Sequence, residues 1–459
     1  MNRCLRALAA MLLMCMAAGA AQAEAVLVET RVPLSEDGFY EAMPEHLRFI
    51  QHTEEEEVAR DIFIRRTYPD TVNDQIDAEM RALIDSMTEA NRAALPLERS
   101  EMESWLDVGA VVTRTGTSVL SFLTLAEVSR EHERTSVDMQ ARVYDAATGR
   151  QLALHDFFAP ESGVYELLAE EIRAQLTAAF PGTQHDEAAL ERLCSEEGIR
   201  SAAFTLSAGR LTLSYRADAL YPGKQTLLHV HVYYPQIRGM MNEYGLAQTD
   251  NSRFRMVALT YDDGGARNYT RRVLDQLRCY GAGATFFVVG RRIRNNHDIL
   301  SRQQDSAYSI QSHTYTHKYA EELNRQMAFE EKAMFEEELI SVTGVPPTMM
   351  RAPGGRENFY IRREIGYPLM HWSLASGDSG SDNAAKVASR VIHSVTDGDV
   401  ILLHDINGRC HIYTQDILEN LCARGILCVT IEELFSDAGV ALEDHVVYFS
   451  PYRTGGIRE

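Results

Sequence analysis

Arg253-Phe-Arg-Met-Val-Ala-Leu-Thr-Tyr-Asp-Asp-Gly264 is an apolar run that ends in two carboxylates; after a helix-sized interval and further apolar strand the chain reaches Ser312-His-Thr-Tyr-Thr-His317. Two carboxylates behind one strand and two imidazoles four residues apart supply three ligands for a metal ion, with one carboxylate left over as a base. On a helical turn the spacing of His313 and His317 lets both rings face one ion. Taken alone, Asp262-Asp263-Gly264-Gly265 reads equally well as a turn. Its position after one strand, and that of the histidine pair after another, gives the set its weight.

Outward from this stretch, apolar strands alternate with amphipathic helices. Strands are expected at Met256–Thr260, Ala284–Val289, Tyr308–Gln311, Leu369–Leu374, Val400–Leu403 and Leu427–Thr430. Helices are expected at Tyr269–Tyr280, Phe329–Ser341, Ala384–Val395 and Thr414–Ala423. Such alternation implies a parallel sheet or barrel whose reacting residues lie past the C-terminal ends of strands. Arg351-Ala-Pro-Gly-Gly and Leu402-Leu-His-Asp fall at such ends. They put an imidazole, His404, at the mouth of the site, and Arg351 where it could fix a carboxylate by a two-pronged hydrogen bond.

Residues 254–435 resemble the NodB-homology polysaccharide deacetylases (carbohydrate esterase 4-like), which act on chitin, acetylxylan and peptidoglycan. Thr260-Tyr-Asp-Asp-Gly stands at the family's first motif, His313-Thr-Tyr-Thr-His at its second, Arg351-Ala-Pro-Gly-Gly at its third and Ile401-Leu-Leu-His-Asp at its fifth. The resemblance implies a distorted (β/α) barrel. It makes Asp262 the general base, His404 the general acid and Arg351 the residue that orients Asp262. Asp263, His313 and His317 would hold one divalent ion, usually Zn2+, with Co2+, Ni2+ or Mn2+ tolerated. The fourth motif departs: Trp372-Ser-Leu is followed by Ala375-Ser-Gly-Asp-Ser379, which keeps Asp378 as the partner of His404 but puts Ala375 and Ser379 where relatives have Asp and Trp. An aromatic wall expected near the substrate is therefore missing. Tyr261, Tyr315, Pro353 and Leu403, in or beside these motifs, are the candidate substrate contacts. Leu403 reads equally as the last core residue of its strand, and Tyr315 as an inward-packing aromatic.

The implied chemistry is metal-assisted amide hydrolysis, with a backbone N–H near Tyr261 as oxyanion donor.

The first half is an α+β arrangement of antiparallel strands and helices. Strands are expected at Val108–Val112, Thr117–Glu127, Met139–Tyr144, Phe204–Tyr215 and Thr226–Tyr234, with Glu54–Glu57 a solvated face or loop. Helices are expected at Val72–Met87, Val164–Phe180 and Glu187–Glu197. His155, His185, His229 and His231 are scattered and form no reaction centre. Arg142-Val-Tyr-Asp-Ala-Ala-Thr-Gly-Arg-Gln-Leu through Phe158, the helix, and Leu211-Thr-Leu-Ser-Tyr-Arg-Ala-Asp-Ala-Leu-Tyr-Pro-Gly resemble an extracytoplasmic domain. That domain is shared by bacterial anti-sigma factors and the N-terminal part of some cell-wall deacetylases.

The chain has 459 residues, enough for two or three domains, and a formal charge of −21, which argues against nucleic acid as a partner. Residues 1–25 carry Arg3 and Arg6, an apolar stretch and small residues, the form of a secretory signal peptide cleaved after Ala23 or Ala25. The alternative is an uncleaved anchor, though the apolar stretch is short for one. The expected division is leader 1–25; α+β region 26–240, as one unit or two subdomains; polar linker 241–253; deacetylase-like domain 254–435; and C-terminal extension 436–459. Behind the leader, Cys194, Cys279, Cys410, Cys422 and Cys428 allow at most two disulfides, and none has metal-site spacing.

The leading reading is an extracytoplasmic, envelope-associated deacetylase of cell-wall glycan with no stable membrane span once the leader is cleaved. Its target would be N-acetylglucosamine or N-acetylmuramic acid of peptidoglycan. Deacetylation of chitin oligomers or acetylxylan is the alternative, and a non-catalytic envelope sensor a third. Oligomeric state is not encoded in any motif.

Overall fold

β-Branched, aromatic and other apolar residues, interleaved with polar ones, make Ser104–Arg114, Val119–Arg130 and Glu133–Asp145 long strands. The computed structural model describes residues 50–454 apart from 72, 96–102, 115–118, 132, 252–253, 307 and 382. Within it β1 (Ile50–Ala59), β2 (Ile62–Asp70), β3 (Ser104–Arg114), β4 (Val119–Arg130) and β5 (Glu133–Asp145) form one sheet in sequence order. Its neighbours are antiparallel except β2 and β3, which run parallel. The helix Asp74–Arg92 makes that crossover and buries Ile76, Met80, Leu83, Ile84 and Met87 with Ile62, Ile64, Leu106 and Val108. Val72, expected at its start, lies outside the described residues, as do the leader and the rest of residues 1–49. Of the two expectations for Glu54–Glu57, the solvated face holds and the loop does not: the four are the exposed part of edge strand β1, with Arg65 Nε 2.7 Å from Glu55 and Arg66 Nη2 3.1 Å from Glu56.

The helix Val164–Ala178 lays Leu168, Ile172 and Leu176 on an antiparallel sheet of β6 (Ala203–Leu206), β7 (Arg210–Arg216) and β8 (Leu227–Tyr233). The run 204–215, expected as one strand, is a hairpin. Its turn at Gly209 packs so close to Glu433 that a Cβ there would lie 2.7 Å from that residue's Cβ. His229 and His231 stack with ring centroids 6.0 Å apart on β8 and bond to Ser214 and Thr212, a packing arrangement. The expected polar joint after Met240 contains a helix, Glu243–Thr249, which Asn242 caps while its Nδ2 donates to Asp156 O (2.9 Å) and Phe158 O (3.2 Å). This connector is docked rather than free.

The second half is α/β. A parallel sheet runs in the order β11 (Ser309–Ser312), β10 (Thr285–Val288), β9 (Arg255–Gly264), β14 (Val400–His404) and β13 (Leu374–Ala375), with β15 (Ile426–Val429) on the start of β9. β9 is buried from Met256 to Asp262, as a central strand covered on both faces must be. Helices Arg267–Cys279, His297–Asp305, Arg325–Thr343, Ala384–Ser394 and Cys410–Ala423 flank it. The expected strand 369–374 is broken: β12 (Leu369–Met370) pairs with β16 (Val447–Ser450), and only Leu374–Ala375 reaches β14. Among the described residues all five cysteines are free, and no helix is long and apolar enough to cross a membrane.

Candidate active site

β9 and β14 are in register so that His404 and Asp262 are paired residues at the tips of neighbouring parallel strands. Strand parity would send Asp263 to the opposite face, but its φ of 71° turns the chain and brings both carboxylates to one side. A non-glycine residue at positive φ costs energy that the surrounding structure must hold, and such strain gathers at functional positions.

His313 and His317 do not share a helix. They sit in a loop after β11 in which Thr314 (φ 62°) and His317 (φ 63°) are left-handed. The buried Glu331, on helix Arg325–Thr343, accepts the backbone N–H groups of Tyr315 and Thr316, both at 2.7 Å, and so holds the loop. His313 Nδ1 bonds Arg351 O at 2.8 Å, which turns Nε2 toward the carboxylates: 3.7 Å from Asp263 Oδ1 and 3.7 Å from Asp262 Oδ2. His317 Nε2 lies 2.9 Å from Asp263 Oδ1. One donor atom each from Asp263, His313 and His317 all lie within 4.8 Å of one another. One oxygen and two nitrogens from three residues fit a divalent ion with positions left open, the arrangement of catalytic rather than structural zinc.

Burial would raise the Asp263 carboxyl, yet its hydrogen bond with His317 and the nearby imidazoles bring it down to about 2. Burial holds His313 below its ordinary value, in the neutral form that ligates.

Arg351 is fully buried. It meets Asp262 by one prong rather than two: Nη1 donates to Asp262 Oδ1 and to Thr260 Oγ1, each at 2.7 Å. Nε and Nη2 are spent on the carbonyls of Met370 (2.9 Å) and His371 (2.7 Å), and the guanidinium lies 4.1 Å from the centre of the Phe287 ring. Asp262 is thus held by Oδ1, with Oδ2 on the side of His313.

His404 is anchored by Asp378, whose Oδ1 is 2.9 Å from Nδ1 and whose Oδ2 accepts the His404 backbone N–H at 2.7 Å. Ser376 Oγ (3.0 Å) and Tyr413 OH (2.9 Å) also donate to Asp378. Burial alone would lower the His404 pKa. The hydrogen bond and charge of Asp378, backed by Asp262 and Asp263, outweigh it and push the imidazole up to about 9.

The expected substrate contacts fare differently. Tyr261 turns its ring into the core, stacked on Phe286 at 5.2 Å with its hydroxyl 3.0 Å from Thr414, so only its backbone can serve the site. Leu403 is fully buried in the same core. Both follow from parity, since Asp262 and His404 take the opposite face. Tyr315 packs inward against Gly290, where a Cβ would lie 2.6 Å from its ring. Pro353 is buried at the head of the turn Pro353–Gly355. Ala375 and Ser379 are exposed, leaving that rim without an aromatic.

Sequence reasoning missed Leu402, which is partly exposed on the same strand face as His404; parity counted from His404 finds it. It also missed Thr260, Ser376, Tyr413 and Glu331. Glu331 leaves a signal, because Ala328, Glu331, Phe335 and Leu339 form the helix's buried stripe and a carboxylate there has to be answered.

Three side chains whose donor atoms could hold one metal ion, a carboxylate held by Arg351 and an imidazole anchored by Asp378 thus meet in one place, an arrangement suited to metal-dependent hydrolysis. Residues 249–368 match the family model described as polysaccharide deacetylase. The chain is 32% identical over 193 residues to a peptidoglycan-N-acetylglucosamine deacetylase of Bacillus cereus, covering 39% of this chain and 88% of that protein. It is 32% identical over 183 residues to the peptidoglycan-N-acetylglucosamine deacetylase of Listeria monocytogenes serotype 1/2a, covering 40% of this chain and 39% of that protein, so the match spans under half of that relative. A solved structure of the Bacillus subtilis peptidoglycan deacetylase PdaC is 27% identical, covering 40% of this chain and 91% of that one, with a TM-score of 0.39. The chain belongs to the polysaccharide deacetylase family. The family match begins at residue 249 and so does not extend to the extracytoplasmic-domain resemblance of the first half.

Proposed function

We infer that the protein is a metal-dependent deacetylase that removes N-acetyl groups from cell-wall glycan, with peptidoglycan as the substrate. The observation that carries this reading is the paired placement of Asp262 and His404 beside the Asp263, His313 and His317 donor set. A divalent ion held there, zinc being the best match to the donors, would supply Lewis acidity toward the acetyl carbonyl and an attacking water.

The remaining work falls to side chains. Asp262 takes the proton of the attacking water at Oδ2, the oxygen not engaged by Arg351. The backbone near Tyr261 donates to the developing oxyanion. Leu402, beside His404, flanks the acetyl methyl. His404 gives its proton to the departing sugar nitrogen as the C–N bond breaks, so that acetate and a free amine leave. Two features support the wall as the site of action: the leader-like residues 1–25, and the resemblance of the first half to extracytoplasmic domains.

The decisive experiment is acetate release by the metal-stripped and zinc-reloaded protein on peptidoglycan, chitin oligomers and acetylated xylan. Zinc-dependent release is expected from peptidoglycan first. Release from xylan alone would move the assignment to ester hydrolysis, and none from any glycan at full zinc occupancy would leave a binding role.

The acid role of His404 fixes a pH dependence. The imidazolium is the donor, so activity is present below about pH 9 and lost as pH rises through that value. In Asp378→Asn the hydrogen bond and charge that raise it are gone, and the alkaline limb should move down toward the ordinary histidine range near ~6.5. An unmoved limb in the pH–rate profile would assign it to another group.

A further inference from the structure

Among the described residues, three of the large apolar side chains that stay exposed belong to segments that adjoin the metal-donor loop: Tyr319, Phe359 and Tyr360. Tyr319 lies two residues beyond His317, with its ring centre 6.1 Å from that imidazole. Phe359 and Tyr360 head the helix Phe359–Ile365, whose capping residue Asn358 donates to the carbonyls of Ala320 and Leu323 and so seats the helix head on the segment that follows Tyr319. Single exposed apolar residues are ordinary, whereas a group of aromatics at the mouth of a site marks a surface that meets a ligand.

Tyr319 is held in place. Its backbone N–H donates to Glu322 Oε2 at 2.8 Å, at the head of the short turn Ala320–Glu322. One edge of its ring rests on Gly354: a Cβ added there would lie 2.9 Å from Tyr319 Cε1, and Gly354 is left-handed (φ 64°), so space and backbone both require glycine. Gly354 belongs to the Arg351-Ala-Pro-Gly-Gly turn, so the ring joins the loop that carries His317 to the turn that carries Arg351. The Arg356 guanidinium lies 5.2 Å from the ring centre and pairs with Glu321 at 3.4 Å, so it brings no net charge. With these neighbours in place Tyr319 still keeps 44% of its surface exposed. The rim at Ala375 and Ser379 offers no ring.

Resting on the deacetylase reading above, we propose that Tyr319 is the stacking platform for the sugar next to the one that loses its acetyl group. The glycan strand then leaves the metal site over this rim, toward Phe359 and Tyr360, and not over Ala375 and Ser379. A pyranose ring has a rim of hydroxyls and a flatter face of C–H bonds, and that face is apolar enough to lie on an aromatic ring, whose π cloud is negative. Tyrosine suits the place because its ring is covered while its hydroxyl stays in water or answers a sugar hydroxyl. Only Lys318 separates it from His317 in the chain, so the ring borders the site directly. A sugar seated on it fixes the strand and presents its neighbour's acetyl group to Asp262 and the metal donors.

The test uses the zinc-loaded full chain and peptide-free glycan strands of peptidoglycan, read both by calorimetric binding and by acetate release. Wild type should bind the strands. Tyr319→Ala should weaken binding and raise KM about tenfold, with kcat within about twofold of wild type. Zinc content and the alkaline limb of the pH–rate profile should not move. Tyr319→Phe and Tyr319→Trp keep a ring and should restore binding. Tyr319→Gln has reach but no ring, should repeat the loss, and serves if the alanine variant does not fold. Tyr452→Ala removes an aromatic that is 70% exposed and packs on Gly398, beyond the start of β14 and so at the far end of that strand from His404; it should bind as wild type does. Ring-dependent binding without acetate release in wild type would sink the deacetylase reading and leave the platform standing. No binding of the strands by wild type, or binding undiminished in Tyr319→Ala and Tyr319→Gln, would overturn the platform. So would a loss of zinc and kcat in both variants with KM unchanged, which would assign Tyr319 to the support of His317.

Discussion

Asp262→Asn is expected to lower turnover by about 10³-fold, the order of a lost general base, while the protein keeps its metal. The reason lies in how the two carboxylates are divided. Asp263 Oδ1 is 2.9 Å from His317 and 3.7 Å from His313, inside the donor set, whereas Asp262 Oδ1 is occupied by Arg351. An asparagine can still accept the Arg351 hydrogen bond through its own Oδ1, so the local geometry survives, but it cannot take a proton. His317→Ala should behave differently, losing metal and activity together, because it removes one of three donors. Metal analysis and acetate release on both purified variants separate the two cases. Turnover near wild type in Asp262→Asn would remove Asp262 from the role of base.

The same stretch measures how far the sequence could be read. β9 and its carboxylate tip were legible because a central parallel strand is apolar on both faces and ends abruptly at the site. The parity of the tip was legible too, and it argues against the sequence-based expectation for Tyr261 and Leu403. If Asp262 and His404 face the reaction, their immediate neighbours face the core. The left-handed Asp263 that lets two successive carboxylates serve one side leaves no mark beyond the glycines that follow it. The helical reading of the His313/His317 spacing failed for a related reason: the loop is held by Glu331 and by left-handed residues, contacts that spacing does not carry. In the first half, β1 was missed because Glu54–Glu57 lie on an edge strand with little core face, so no apolar period announces it; β2 does carry an alternation, with Ile62, Ile64 and Tyr68 buried, but two arginines interrupt it. The helix Glu243–Thr249 is seven residues long, too short to form on propensity alone, and is fixed by tertiary hydrogen bonds from Asn242.

Arg351→Ala should be the most damaging change to the fold as well as to the chemistry. The guanidinium is fully buried and answers four groups at once: Asp262, Thr260, and the carbonyls of Met370 and His371. Its removal leaves a buried carboxylate without its cation, and truncating one partner of such a pair costs about 3–5 kcal/mol. For a domain of this size that corresponds to a Tm lower by roughly 10 °C. Turnover should fall with it, because Oδ1 of Asp262 loses the contact that fixes where Oδ2 points. Arg351→Lys keeps the charge but not the fork, so it should recover part of the stability and little of the rate. The double variant Asp262→Ala/Arg351→Ala removes charge and counter-charge together and should be more stable than the sum of the single losses predicts. Denaturant unfolding of the four proteins, with and without zinc, checks the cycle. Additive losses would mean that Arg351 acts through packing against Phe287 rather than through the ion pair with Asp262.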